Sequence, residues 1–297
     1  MESMIFKNKK PLFLFIFPAF ALMGIFLYYP FVQNIINSFF SIKYLSTPFS
    51  EITVNQPFYE NYAKIFTDVN MKAVMINTGL MILFTIVFQV GIALFLSLLV
   101  DNIKKGAEFF RTAYFFPIVI SATALGVMFN LVFLYNGGMI NQVLGNLGVT
   151  ELIDWKDETH FLGTMFLPIC WQYVGFYFVI LVTGLNNISS DIYEAASIDG
   201  ANGFKRVRYI TLPLLYNTMC TCLTLAITGA LKVFDLPWTM LPIGMPLDKS
   251  FMTGTYMYYQ TFTQHDVDYG STIALLIVVV GVVLSQLANV VFKEKDY

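Results

Sequence analysis

Charged residues are scarce in this sequence. Asp, Glu, Lys and Arg together make up 12% of its 297 residues, about half of the share of roughly a quarter found in soluble domains. Apolar residues make up 57%, aromatic residues make up 17%, and the mean hydropathy is +0.67. The net charge of −2 by itself says nothing about nucleic acid. Because no basic patch large enough to track phosphates appears, no nucleic-acid partner is predicted. The composition indicates an integral membrane protein.

Cysteine is also rare, and its placement argues against a disulfide or metal framework. The three cysteines, Cys170, Cys220 and Cys222, lie inside apolar stretches and lack metal-ligand spacing, so we interpret them as small apolar fillers. The two histidines, His160 and His265, are far from any Cys or acid pattern. No metal site is predicted.

The sequence lacks the patterns that carry catalysis. It has no Gly-Lys-Ser/Thr phosphate loop, so the chain supplies no ATP site of its own. No Ser/His/Asp or paired-carboxylate arrangement falls in a plausible cleft. The apolar runs contain no acid that could relay protons, which argues against a proton-coupled carrier. We therefore predict that the chain is not an enzyme and that the energy for any transport comes from a partner.

Long apolar runs free of Asp, Glu, Lys and Arg are what the sequence does contain. Each has about the 20 residues needed to cross the hydrocarbon core as a helix, and none shows the alternation of a membrane strand. The prediction is an all-α integral membrane protein with one transmembrane domain over residues 1–297. Its six predicted spans are 11–32, 73–100, 112–135, 161–184, 212–231 and 272–292.

Lysine and arginine are unevenly shared between the connections. With a cytoplasmic N-terminus, eleven of the 17 lie inside and six outside, whereas 11 of the 19 acids lie outside. Because cytoplasmic connections carry the excess of cations, both termini are predicted to be cytoplasmic. The inside cations are Lys7, Lys9, Lys10, Lys104, Lys105, Arg111, Lys205, Arg206, Arg208, Lys293 and Lys295. The outside cations are Lys43, Lys64, Lys72, Lys156, Lys232 and Lys249.

Three outer connections differ in character. Residues 41–70 are polar and predict a loop with short helical pieces. Residues 136–160 open with a glycine-rich turn and continue with apolar residues at helical spacing, which predicts a short amphipathic helix. Residues 251–262 are apolar but too short to cross a membrane, which indicates a re-entrant or interfacial piece.

The connection 185–211 is the most polar sustained stretch on the predicted inside face. Asp191 and Glu194 have the capping-box spacing that begins a helix, and Gly200 allows the left-handed conformation that ends one. A short basic helix is predicted over 204–210. This helix–turn–helix would protrude and suit a groove on a partner protein.

The spacing of this loop carries a resemblance. Glu194-Ala195-Ala196, Gly200 and Ile210-x-Leu212-Pro213 match the E-A-A-x3-G-x9-I-x-L-P loop of importers in the ATP-binding-cassette (ABC) superfamily, and the chain resembles their membrane-spanning permease subunit. Further runs are similar to the carbohydrate-uptake subfamily, and the Gly-x-x-Asn at 138–141 resembles the maltose- and glycerol-phosphate-type first permease. These runs are Phe17-Pro18-Ala19, Tyr29-Pro30, Phe116-Pro117, Gly138-Met139-Ile140-Asn141, Trp171 to Phe176 and Phe234-Asp235.

The resemblance implies a multi-subunit importer in the cytoplasmic (inner) membrane of a bacterium or archaeon. It implies a heterodimer with a second permease, two cytoplasmic ATPases that bind ATP and Mg, and an external solute-binding protein that delivers a sugar-like solute. No cofactor is expected on this chain. One departure is the stretch 241–246, which lacks the Gly-Gly-Pro run common in the subfamily. The implied ATPase-coupling residues are Glu194, Ala195, Ala196, Asp199, Gly200, Ile210, Leu212 and Pro213.

Several residues carry two interpretations. Glu194 would pair with an ATPase arginine or only cap its helix, and Lys205, Arg206 and Arg208 would contact the ATPase or only obey the positive-inside bias. Aromatic rings stack on sugars but are also ordinary in membrane helices. Polar residues within spans, including Asn77 and Gln89, either join helices or line a cavity. Asp235 and Lys232 form a gate pair or an interfacial pair. The candidate substrate-path residues are Trp171, Tyr173, Tyr177, Asn130 and Asp235.

Other functions remain open on the sequence. Within the same superfamily, the solute could be an amino acid or a peptide. An autonomous channel or secondary carrier would transport without an ATPase, and an assembly factor or receptor would show no solute flux.

Overall fold

The computed structural model describes residues 9–42, 44, 46–101, 103, 106–240 and 250–291, and this part of the chain is mostly helical. Several sequence-based assignments lie outside the described residues. These are the stretch 241–246 and the lysines at positions 7, 43, 104, 105, 249, 293 and 295.

Within the described ranges, four helices are long and apolar enough to cross a membrane. They lengthen or shift the predicted spans 11–32, 73–100, 161–184 and 272–292, because charged residues near a run do not end its helix. Lys72, for example, lies within a helix that Asp68 begins by accepting a hydrogen bond from the Asn70 amide at 2.9 Å. We name these helices α1, Phe13–Asn37; α3, Val69–Asp101; α7, Phe161–Asn186; and α13, Val267–Val291.

The predicted spans 112–135 and 212–231 are not single helices, and both predictions were wrong in this respect. Each is replaced by a bent pair, with angles of 89° and 68°. If each pair forms one span, six spans result. The pairs are α4, Ala107–Val119, with α5, Ala122–Val132; and α9, Phe204–Leu214, with α10, Tyr216–Leu231.

Local backbone geometry explains both breaks. Ile120 and Ser121 adopt extended ψ angles of 135° and 131°, so α4 ends and α5 begins in a new direction. At the second break Leu215 has ψ −4°, which turns the chain while its amide still bonds the Thr211 carbonyl at 2.9 Å. Apolar composition does not reveal such a turn, because the same residues suit the membrane in either direction.

Short elements fill the connections. The short helix predicted within 136–160 is confirmed, and helical pieces occur in 41–70 as predicted. Residues 251–262 are also helical, whereas their predicted re-entrant or interfacial position stays a prediction. A two-stranded antiparallel ribbon pairs Phe40 with Val54 and Ser41 with Thr53, which the all-α prediction did not include. These elements are β1, Phe40–Ser41; β2, Thr53–Val54; α2, Glu60–Thr67; α6, Met139–Asn146; α8, Ser190–Ile198; α11, Asp235–Met240; and α12, Thr253–Tyr258.

The chain forms two compact units. The first comprises Met1–Thr67 and Met257–Leu276. Within it the buried Asn61 side chain donates to Asp268 Oδ2 at 3.1 Å and to the Ser38 carbonyl at 3.2 Å. Lys64 pairs with Asp266 at 2.5 Å. These polar contacts tie α2 to the start of α13.

The second unit comprises Asp68–Tyr256 and Ile277–Tyr297. Two apolar clusters form its core, one around Leu125, Met165 and Leu236 and one around Phe178 and Cys222. Of the three cysteines, Cys222 is buried, and Cys170 and Cys220 are half-buried.

Buried amide side chains join helices of the second unit. Asn77 Nδ2 donates to the Phe251 carbonyl at 3.0 Å, and Gln89 Nε2 donates to the Ile169 carbonyl at 3.0 Å. Both side chains are more than nine-tenths buried. Because an unpaired polar group is costly in an apolar interior, these bonds favour one packing of the helices.

The packing of α4 on α7 depends on Gly175. A Cβ at this position would lie 1.9 Å from the Tyr114 carbonyl oxygen. We expect Gly175→Ala to lower stability by about 1–3 kcal/mol, the usual cost of overpacking. Gly163→Ala on the same helix is the control, because a Cβ there meets nothing within 4 Å. Thermal unfolding of the detergent-purified protein measures both. Equal midpoints for the two variants would contradict the close approach.

Candidate functional site

The loop that carries the ABC-importer motif is a helix–turn–helix, as predicted, but its cap differs. Ser189, not Asp191, precedes the first helical residue of α8, and its Oγ accepts from the Asp191 amide at 3.3 Å. The capping-box assignment was therefore wrong. Because Glu194 lies beyond the third helical position, it does not serve as the reciprocal cap.

Gly200 ends α8 in a left-handed conformation, with φ +79°. The Ala201 amide donates to the Ala196 carbonyl at 2.8 Å, and the Gly200 amide donates to the Ser197 carbonyl at 3.2 Å. This pair of bonds is the Schellman arrangement that closes a helix. It directs the chain sharply from α8 into α9.

The two arms of the loop contact each other through Tyr193. Its hydroxyl lies 3.3 Å from Thr211 Oγ1, and the Arg206 guanidinium lies 5.2 Å from its ring centroid. Ala196 is 6% exposed. The small Ala196 side chain lets α8 and α9 approach each other, and the contacts of Tyr193 hold the two helices together.

The outward side of the loop is both acidic and apolar. Glu194 and Ala195 are exposed. Large apolar side chains that the sequence analysis did not single out are also exposed, with Ile198 at 86%, Phe204 at 80% and Tyr209 at 73%. Exposed apolar residues in one place mark interaction surfaces. The sequence offered one indication of these residues, because they are large and apolar within an otherwise polar loop. Asp199 is also exposed, whereas Ile210, Leu212 and Pro213 are half-buried.

A cavity of about 370 Å³ opens among α3, α7, α10 and α11. Three candidate path residues, Tyr173, Tyr177 and Asp235, line it. Lys232 lines it as well, which brings one cation and one anion to the same space. The sequence analysis missed other polar lining residues, which are Thr85, Gln172 and Thr228, and treated Gln89 only as a span polar group.

Gln172 is the polar residue of the cavity with unused hydrogen-bonding capacity. Its Nε2 donates to the Ile120 carbonyl at 3.3 Å, and its buried Oε1 accepts no bond within the described chain. An amide oxygen can accept up to two hydrogen bonds. The cavity therefore offers acceptors, donors and aromatic faces together.

Two candidate path residues lie elsewhere. Trp171 lines a second, almost entirely apolar cavity of about 720 Å³ beside α4 and α5. Asn130 does not line either cavity, and its Oδ1 accepts a hydrogen bond from Lys156 Nζ. The structure therefore separates these two from Tyr173, Tyr177 and Asp235.

Asn141 organises the outer segment, residues 136–160. Its Nδ2 donates to the carbonyls of Tyr135 at 3.0 Å and Ile153 at 2.9 Å, and its Oδ1 accepts from Trp155 Nε1 at 3.0 Å. The residue is 4% exposed. One buried amide thus fixes the start of α6 against the stretch that follows it.

Ionisable groups complete this segment. Burial lowers the pKa of the Lys156 ammonium group, and the nearby Asp154 carboxylate opposes this by raising it. Desolvation raises the pKa of the Asp157 carboxyl group, but hydrogen bonds from Thr159 and His160 outweigh it and lower the pKa to about 2. Asp157 therefore stays ionised at neutral pH beside the start of α7.

Membrane-length helices, a cavity with polar, charged and aromatic lining among them, and an exposed helix–turn–helix loop are typical of a membrane transport subunit. No protein-family model matches the chain. It is 30% identical over 295 residues to the probable ABC transporter permease protein YurN of Bacillus subtilis (strain 168), a match that covers 98% of each chain. The chain therefore belongs to the family of ABC transporter permeases. As such it is not an enzyme, and separate subunits hydrolyse ATP.

Other relatives carry more specific names. The chain is 28% identical to the sulfoquinovosyl glycerol transport system permease protein SmoG of Agrobacterium fabrum (strain C58 / ATCC 33970), covering 94% of this chain and 89% of that protein. It is 26% identical to the lactose transport system permease protein LacF of Rhizobium radiobacter, covering 95% and 94%.

Solved structures show the same fold. A crystal structure of a bacterial ABC transporter involved in the import of the acidic polysaccharide alginate matches with a TM-score of 0.81 at 19% identity, covering 97% of this chain and 96% of that chain. A second crystal structure, of the alginate transporter with an alginate pentasaccharide-bound periplasmic protein, matches with a TM-score of 0.82 at 18% identity, covering 97% and 95%.

Cysteine accessibility distinguishes the two cavities. In a variant with all three native cysteines replaced by serine, Tyr173→Cys and Asp235→Cys should react with a small charged thiol reagent. Trp171→Cys should react at least about tenfold more slowly, because its apolar surroundings exclude the reagent and disfavour the thiolate. Mass spectrometry of labelled membranes measures the rates. Equal rates at 171 and 173 would contradict this assignment.

Proposed function

We propose that this chain is one of two permease subunits of a binding-protein-dependent importer for a sugar-like solute. Two ATPases drive it from the cytoplasm through the loop at 185–211. The observation that carries this proposal is the loop itself, in which the importer motif is presented on an exposed helix–turn–helix.

The geometry of the loop suits force transmission. The Schellman turn at Gly200 and the contacts of Tyr193 make α8 and the start of α9 one stiff piece. The helix α9 continues directly to the break before α10, and α10 lines the cavity. A displacement of the loop is thereby passed to the wall of the solute path.

The proposed contact with an ATPase involves both charge and apolar surface. Glu194 offers a carboxylate for an arginine, whose fork geometry matches it. Ile198 and Phe204 offer the apolar area that a groove would cover. The other proposed coupling residues, Ala195, Ala196, Asp199, Gly200, Ile210, Leu212 and Pro213, shape the loop or join it to the following helix.

The proposed solute path is the cavity lined by Tyr173, Tyr177 and Asp235. Aromatic faces stack on sugar rings, and carboxylate and amide oxygens accept hydrogen bonds from hydroxyl groups. Related permeases named for sulfoquinovosyl glycerol and for lactose support a sugar. We keep an amino-acid or peptide solute as the second candidate, because Lys232 and Asp235 offer the cavity both charges.

The proposed topology has six spans, with the bent pairs α4–α5 and α9–α10 each counted as one. Both termini and the loop at 185–211 face the cytoplasm, and the outer segment faces the solute-binding protein. The excess of cations in the inside connections supports this orientation. The membrane is the cytoplasmic (inner) membrane, and ATP and Mg are bound by the partner ATPases.

Reversal of the charge at Glu194 tests the coupling loop. We expect Glu194→Lys to reduce ATP-driven uptake at least about tenfold, because it replaces an ion pair by repulsion. Glu108→Lys is the control, since Glu108 is likewise an exposed helical glutamate on the proposed inside face. Uptake into cells and the amount of co-purified ATPase are measured. Normal uptake in Glu194→Lys would remove the coupling role.

The turn at Gly200 gives a second test. Gly200→Val forces a β-branched residue into φ +79°, at a cost of roughly 1–2 kcal/mol, and should abolish uptake while leaving membrane insertion intact. Gly106→Val is the control, because Gly106 also has positive φ (+88°) and open surroundings. If both variants lose uptake equally, backbone strain in general is responsible and the specific role of Gly200 is refuted.

The solute is tested through the binding protein of the same transport system. Thermal shift of that protein with panels of oligosaccharides, amino acids and peptides identifies the class. We expect stabilisation by a sugar. Stabilisation only by an amino acid or peptide would leave the importer assignment intact and replace the sugar.

A further inference from the structure

Asn130 and Lys156 connect two parts of the second unit that the transport path does not otherwise explain. Lys156 lies in the outer segment and is half-buried, and its Nζ donates to Asn130 Oδ1 on α5. This hydrogen bond joins two residues that are 26 positions apart in the sequence. It is therefore a tertiary tie and not a local turn.

Contacts of Asn141 and Trp155 hold the outer segment in place next to Lys156. Asn141 bonds Ile153 and Trp155. The Trp155 carbonyl in turn accepts from Thr164 Oγ1 at 2.6 Å, and the Trp155 ring lies 6.1 Å from that of Phe133. Lys156 follows Trp155 directly, so its backbone position is set by these contacts.

The helix α5 extends from Asn130, which bonds Lys156, to Ala122, which lines the cavity. Ala122, Gly126 and Asn130 recur every four residues and so follow one face of α5. Ala122 lines the cavity, and Asn130 holds Lys156. Gly126 lies between them, where a Cβ would come within 1.7 Å of Thr239 Oγ1 on α11.

The helix α11 is the element that presents the cavity carboxylate. It begins at Asp235, which lines the cavity together with Leu236. Thr239 Oγ1 donates to the Asp235 carbonyl at 2.8 Å. Movement of α5 is expected to displace α11, because the Thr239 side chain of α11 packs directly on Gly126 of α5 and leaves no free space between them.

We propose that Lys156 and Asn130 form a latch that positions α5 and α11 over the cavity and so places access to Asp235 under the control of the outer segment. They are positioning residues and do not touch the solute. The role of the outer segment as the place where an external partner acts rests on the proposed function. The mechanical connection itself belongs to this chain and is tested without any partner or solute.

The test measures labelling of Asp235→Cys by a membrane-impermeant maleimide in right-side-out vesicles, with the native cysteines replaced by serine. Lys156→Met and Asn130→Leu should each accelerate labelling about fivefold or more, the lower range of coupling between sites. The double variant should be no faster than the faster single variant, because either change breaks the same bond. Lys156→Arg, which keeps a donor, should label close to the parent rate.

Matched variants separate the latch from general loosening. Lys72→Met and Asn146→Leu remove exposed side chains of the same types and should leave the rate within twofold of the parent. A second reporter retains only native Cys222, which is fully buried, and should stay unlabelled in all latch variants.

Four results would overturn the latch. The first is a labelling rate of Asp235→Cys that is unchanged or slower in the single variants, and the second is a rate in the double variant equal to the product of both single effects. The third is a rate in Lys156→Arg as high as in Lys156→Met. The fourth is labelling of Cys222 that rises in parallel with that of Asp235→Cys. The import assignment is judged separately by uptake in the unmodified protein. If any of these results is obtained while the unmodified protein still imports its solute, only this inference is refuted and the import assignment stands.

Discussion

The structure depends on the requirement that every backbone polar group inside the membrane be hydrogen-bonded within the protein. Helices meet this requirement along their length, and the chain can change direction only where the freed groups find partners. At the break between α9 and α10 the Leu215 amide keeps its bond to the Thr211 carbonyl. At the break between α4 and α5 the Ile120 carbonyl accepts from Gln172. The second case joins the bend directly to a cavity-lining side chain.

The same requirement explains where the polar residues of the spans lie. Asn77 and Gln89 donate to backbone carbonyls of other segments, and Gln89 also lines the cavity. The two interpretations of such residues, joining helices and lining a path, are therefore not exclusive. A transport path needs polar groups that the fold already holds in place, since a solute must not disturb the packing when it leaves.

The loop at 185–211 and the outer segment solve a related problem outside the apolar core. Each is a short helix held by a single buried or half-buried side chain, Tyr193 in the loop and Asn141 in the outer segment. Each adjoins a bent pair in the chain, because the loop leads into α9–α10 and the outer segment follows α4–α5. Both bent pairs contribute to the cavity, through Leu225 and Ala122 respectively. Because each of these two segments adjoins a bent helix pair that lines the cavity, a contact made at the surface can displace the cavity wall.

The sequence by itself determined the membrane class, the approximate positions of the spans, the short outer helix and the helix–turn–helix of the loop, and its motif indicated the family. These features depend on composition over about 20 residues or on local backbone preferences such as that of Gly200, which need no distant contact. The tertiary structure alone decided that two of the predicted spans fall on bent helix pairs, that Ser189 is the cap, and that Tyr173 and Asp235 share a cavity that Asn130 and Trp171 do not line. The physical reason is that a membrane helix is apolar on every side, so the direction of a side chain is set by the helices packed against it and not by periodicity in the sequence.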